Sequence, residues 1–298
     1  MLIRYGFDIT IRPEAPQAMV LQMSLRPEWH MNLRGTEAFS TDPALPFSNY
    51  LDGFGNLCRR LNAPARPFRM QQSALIDVSD RAEPIFPEAQ EMPVEALPDA
   101  VLQFLLPSRY CDSDRLLDPA WDLFGGVAPG WGRVQAIMDF VHDHIAFNYR
   151  DADASRTAHD AFTQGKGVCR DFAHLAIGFC RALNIPARYV NGYLGDFGIP
   201  APPDPMDFAA SVQVWLSDRW WSFDPRNNQA RIGRLPVSYG RDAADVALIS
   251  SFGRHELLNF TVITDEIGAD GQIIPPIPRG AARASQSLSE SKGDSPFG

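Results

Sequence analysis

The stretch Gly165–Tyr193, GKGVCRDFAHLAIGFCRALNIPARYVNGY, constrains the fold most, because it fixes a helix, both its ends and the strand that follows. From Val168 to Leu183 the apolar residues Phe172, Ala173, Ala176, Ile177, Cys180 and Leu183 recur at helical spacing, and Pro186 ends the helix. Ala187–Tyr193 then reads as a strand. Gly165 and Gly167, just ahead of the helix, supply left-handed or closely approached backbone. Cys169 therefore falls in the first turn, where unpaired N–H groups and the positive end of the helix dipole favour the thiolate over the thiol. A cysteine deeper in a helix is usually an inert small hydrophobe, so the position carries the argument.

Around this stretch the periods change. Val134, Ile137, Met138, Val141 and Ile145 share one helical face, which predicts an amphipathic helix packed beside the cysteine helix. Val212–Leu216, Trp220–Phe223 and Leu257–Thr264 read as short strands after it, with Ser217-Asp218 as a hairpin turn. Helix followed by antiparallel sheet is an α+β unit. Before it, Ile3, Tyr5, Phe7 and Ile9 alternate with polar or small residues as a half-buried strand does, and Ala18–Leu25 and Ser73–Val78 repeat the theme. A small antiparallel β-sandwich is expected there. A proline cluster from Pro84 to Pro98 sets the expected boundary, giving units at 1–98 and 99–274. The Ser-, Gly- and Pro-rich segment 275–298 is expected to be a mobile tail. A chain of 298 residues has material for two such domains.

Composition removes several classes of function. With 27 Lys and Arg against 36 Asp and Glu, the formal charge is −9, which disfavours nucleic acid and anionic membrane as partners. No run of 18 apolar residues exists, and MLIRYGFDITIRPE carries early charge on a strand pattern, so neither a membrane span nor a signal peptide is read. A cytoplasmic protein is expected. Cys58, Cys111, Cys169 and Cys180 form no CxxC or CxxH pair, which points to reduced thiols without zinc. Cys169 and Cys180 share a helix face but stand about 16 Å apart along it, too far to bond. DADASR at Asp151–Arg156 fails as a calcium loop, because Arg156 stands where glycine is needed and Phe162 where a carboxylate is needed. No cofactor and no metal are called for.

The string GVCRDFAHLAIGFCRALNIPARYVNGYL, followed at Met206–Arg226 by MDFAASVQVWLSDRWWSFDPR, resembles the transglutaminase-like superfamily in its bacterial branch with an extra N-terminal domain. The resemblance is strong from Val101 to Phe260 and weaker earlier, where it rests on LDGFGN at Leu51–Asn56. It implies a papain-like thiol site: a cysteine at a helix N-terminus, a histidine on a neighbouring strand and an acid on the next. Cys169 matches the nucleophile, and Asp224 in SFDP matches the acid. The histidine position falls on Ala209, where the family's D-F-H-A-W pattern becomes Asp207, Phe208, Ala209, Ala210, Ser211. By resemblance the reaction class is thiol-mediated acyl transfer or amide hydrolysis on a peptide or protein. Asp207, Trp221 and Tyr193 are candidate substrate contacts.

Alanine can neither lower a thiol pKa by pairing with the thiolate nor protonate a leaving group, and loss of one triad member commonly costs several powers of ten in turnover. Three readings follow: an impaired enzyme, a binding module that keeps the cleft as a possible pseudoenzyme, or an enzyme whose base is His159 or His255. His174, about 140° round the helix from Cys169, points elsewhere. Asp224 also reads as a turn-capping residue after a strand.

Overall fold

A computed structural model describes residues 1–200 and 205–276, so nearly all of the 275–298 segment lies outside the described residues. Alternation builds the first sheet. Ile3, Tyr5, Phe7, Ile9 and Ile11 of β1 (Leu2–Pro13) are at most 1% exposed, because every second side chain of a strand faces the same side. The sheet runs in the order β15 (Ile273–Ile274), β14 (His255–Ile267), β1, β6 (Phe68–Asp77), β3 (Ala38–Asp42), antiparallel throughout. A second antiparallel sheet runs β13 (Ile249–Ser251), β2 (Gln17–Leu21), β5 (Leu57–Ala63), β4 (Phe47–Leu51). Met19, Leu21 and Leu61 from the second sheet join the inward residues of β1 in one apolar core.

Leu257–Thr264 is a strand as expected, but its partner differs from the expectation. It lies within β14 and pairs along β1, with Tyr5 opposite Thr264 and Thr10 opposite Asn259. The reason is backbone supply: β6 satisfies one edge of β1, and the other edge needs a partner of similar length.

The middle of the chain is helical: α1 (Asp99–Leu102), α2 (Leu117–Phe124), α3 (Trp131–His144), α4 (Ala158–Gln164) and α5 (Cys169–Ala182). A short parallel pair, β7 (Ala146–Phe147) with β8 (Lys166–Gly167), leads into α5. From Asp171 to Ala182 every residue of α5 is buried. It lies between α2, α3 and α4 and a third sheet of order β11 (Arg219–Phe223), β10 (Phe208–Leu216), β9 (Ala187–Tyr193), β12 (Leu235–Gly240). Ile137 and Val141 of α3, Phe172 and Phe179 of α5, and Val212 and Val214 of β10 make a second core. Phe179 meets Phe124, Phe140 and Phe162 edge-on, so truncating it to alanine costs about 3–5 kcal/mol. The Ser217-Asp218 turn joins β10 to β11 with φ of 47° and 59°, the left-handed pair that a tight hairpin requires. The third sheet also sends Tyr193, Phe208 and Leu235 into the first core.

Candidate active site

Cys169 opens α5, as the periodicity predicts, and its thiol is half-buried and free. The helix cap, Val168, has no side-chain acceptor for the first N–H groups. Asp171 fills the gap: its Oδ2 accepts the Val168 N–H at 2.8 Å. Asp171 is wholly buried and is held by Nη1 of Arg156 at 3.1 Å, itself 4% exposed. Gly167 makes room for this carboxylate, since a Cβ there would stand 2.5 Å from Asp171 Oδ2. Gly165 ends α4 with φ of 62°. The two glycines thus have separate duties, one conformational and one steric.

The facing wall is β10. Ala209 pairs with Gly192 and Ala210 with Asn191 on β9, and both alanines line a cleft of about 130 Å³ with Cys169. Arg226, Arg231, Asp196 and Asp207 also line it. Burial pushes the Cys169 thiol up from its usual value and outweighs the backbone amides of Ala210 and Arg170 and the charge of Arg226, which pull it down. Burial likewise raises Asp207, against the Phe208 N–H and Arg226, and raises Asp196 against Arg231 and Arg226. The Arg226 guanidinium lies 3.9 Å over the Phe147 ring, and its carbonyl accepts from His142 Nδ1 at 2.8 Å.

Asp224 follows β11 directly, and its carboxylate is committed elsewhere than the thiol. Its Oδ2 meets Arg234 Nη2 at 2.7 Å and Asn227 Nδ2 at 2.8 Å, and its Oδ1 accepts the Asn227 N–H at 3.0 Å. Burial opposes its charge, but Arg234 and the Asn227 donors hold the carboxyl below its ordinary range. It both caps the turn and neutralises a buried arginine, whose Nε binds Glu83 at 2.7 Å.

The cleft brings together Cys169, Ala209 and Asp207; Trp221 and Tyr193 lie away from it. Trp221 donates Nε1 to the Leu216 carbonyl and stacks on Phe86 at 5.3 Å. Tyr193 is wholly buried and its hydroxyl donates to the Met23 carbonyl at 2.9 Å. Both are core aromatics, because their positions on β11 and β9 point into packed layers. No histidine lines the cleft. His255 is exposed on β14 beside Ser251, and the His159 N–H binds Asp112. His174 is buried against Tyr110, with Nε2 accepting the Ala243 N–H, and burial holds it well below its usual value. Among the described residues, no group of three His, Cys, Asp or Glu side chains is placed to hold a metal ion. Sequence reasoning missed Arg226, although it stands two residues past Asp224 in the SFDPR string, and it missed Arg156 and Arg234, which carry no local signal.

A family model described as the transglutaminase-like superfamily matches residues 122–225, which hold α3, α5, Cys169, Ala209 and Asp224. The crystal structure of a "Putative Cysteine Protease" from Cytophaga hutchinsonii superposes with a TM-score of 0.80 at 29% identity, covering 92% of this chain and 93% of that one. A Mycobacterium leprae protein is 39% identical over 92 residues, which are 30% of this chain and 32% of that protein. The chain thus spans about a third of that relative's length. A Mycobacterium tuberculosis protein is 26% identical over 217 residues, 65% of this chain and 68% of that protein. With a thiol at the start of a buried helix and an antiparallel sheet facing it, residues 122–225 match the transglutaminase-like superfamily, and the architecture is similar to that of the Cytophaga hutchinsonii protein.

Proposed function

We propose that this protein is a transglutaminase-like cysteine protein of the thiol acyl-transfer and amide-hydrolysis class in which amide turnover is silenced, leaving a cleft that binds a peptide or protein segment. One observation carries the reading: Ala209 lines the same cleft as Cys169 where the family motif has histidine, while Asp224 is bound to Arg234. Acyl transfer from an amide requires the sulfur to give up its proton and the departing nitrogen to gain one. Among the described residues the lining holds no imidazole to do both, and its carboxyls are those of Asp196 and Asp207. A methyl group cannot carry a proton, and arginine stays protonated throughout the working range of pH. The raised thiol adds to the deficit. The four thiols, all free and three of them buried, support a reducing compartment such as the cytoplasm.

The test uses peptides selected on the purified protein from a displayed random library. They should bind wild type and Cys169→Ala with equal affinity and be recovered with unchanged mass. Recovery of cleaved or cross-linked peptide from wild type, lost in Cys169→Ala, would return the impaired-enzyme reading to first place.

A further inference from the structure

A second cavity, of about 290 Å³, lies between the segment after β6 and the backs of β10, β11 and β12. Its charged lining is three arginines, Arg81, Arg231 and Arg234, against one carboxylate, Glu83. Part of that charge is balanced from outside the lining, Arg234 by Asp224 at 2.7 Å and Arg231 by Asp196 at 3.6 Å, so the case for a ligand rests on donors left without a partner. Glu83 is already in use: Oε1 binds Arg234 Nε at 2.7 Å and Oε2 accepts the Arg231 N–H at 3.2 Å. The side chains of Arg231 and Arg234 are 4% and 5% exposed. Each still has an orphan donor, since Arg231 Nε and Arg234 Nη1 are buried without a hydrogen-bond partner. Buried donors of charged groups are almost always satisfied.

The wall around them is also electropositive. Tyr239 lines the cavity with the Arg188 guanidinium 3.8 Å from its ring and that of Arg26 at 4.2 Å. Among the described residues Arg188 hydrogen-bonds the neutral Gln213, and it lies 4.2 Å over the Trp220 ring. Arg81, at the exposed rim, makes no side-chain hydrogen bond or ion pair among the described residues. The Ser79 and Ser222 hydroxyls are further polar groups of the lining.

We infer that this cavity is a binding site for a phosphate group, free or on a phosphomonoester, held by the orphan donors of Arg231 and Arg234 and closed at the rim by Arg81. Guanidinium donors arriving from three separate arginines suit an oxyanion with several acceptor oxygens. Cys169 is not part of this lining, although Arg231 borders both cavities.

Calorimetric titration of the full chain at constant ionic strength, with inorganic phosphate and with O-phosphoserine as separate probes, tests it. Saturable binding of at least one probe is expected, and which one binds tells free phosphate from an esterified group. Arg81→Gln should weaken it about tenfold. Arg66→Gln, an exposed arginine that does not line this cavity, should leave it unchanged. Both variants change exposed side chains, so folding is checked simply by circular dichroism. Absence of saturable binding by either probe, binding in Arg81→Gln equal to wild type, or equal loss in both variants overturns the assignment.

Discussion

The two sides of the thiol cleft have been kept to different standards. On the helix side, Gly167, Asp171 and Arg156 form a buried scaffold that fixes the first turn of α5 and therefore the sulfur of Cys169. On the strand side, Ala209 holds no proton and Asp224 serves Arg234. The difference teaches that placing a nucleophile and activating it are separable tasks carried by separate elements. A fold can keep the first because core packing depends on it, while the second rests on few side chains.

The largest effect that sharpens this contrast is expected from Arg156→Met, which leaves the carboxylate of Asp171 buried without its main cation. Urea unfolding should show a loss of about 3–5 kcal/mol. A loss below about 1 kcal/mol would mean that the helix side is not a scaffold at all.

Next comes Asp224, whose folded carboxyl lies below its ordinary value. A depressed acid contributes stability that is complete above the unfolded value, near 3.9 for a free aspartate, and is lost as pH falls through the folded value. Wild type should therefore lose stability steeply below about pH 4, and Asp224→Asn should flatten that limb while lowering the plateau at neutral pH. An unchanged acid limb would show that the Arg234 pair does not couple to folding.

Ala209→His probes the other half of the contrast. Iodoacetamide alkylation of Cys169, read by mass spectrometry against pH, should give a wild-type thiol that ionises above the ordinary 8.5 or so. The variant should react about tenfold faster at pH 7, because an imidazole beside the sulfur stabilises the thiolate. A wild-type thiol that already ionises well below the ordinary value would mean that Arg226 and the helix start suffice without histidine. The smallest effect is expected from His255→Ala: no change in that alkylation profile and a stability change within about 0.5 kcal/mol. A slowed Cys169 in this variant would revive the substitute-base reading.

Much of this site was legible in the residues themselves. Cys169 at a helix start follows from the glycines before it and the apolar stripe after it, and Ala209 follows from motif spacing. A cap at Asp224 could be read from its place after an aromatic strand, while the motif favoured the acid position of a thiol site there. What was not legible depends on distant partners. Arg234 lies ten residues beyond Asp224 with no periodic relation to it, and Arg156 meets Asp171 across a helix and a turn. The upward shift of the thiol has the same origin, since burial is set by the packed fold and leaves no mark on local sequence. Strand β14 shows the limit most plainly: alternation identifies a strand, but nothing in Leu257–Thr264 names β1 as its neighbour.

That pairing also sets a clock. Strand β1 lies at the centre of its sheet, with β6 on one side and β14 on the other, and the β14 contacts join residues about 250 positions apart. During synthesis the first strand leaves the ribosome early, finds β6 soon after, and then keeps an open edge while the whole helical middle and third sheet are made. Closing so distant a loop is slow, and an unpaired edge held that long is an invitation to neighbouring chains. That sheet therefore cannot be completed until β14 has been made.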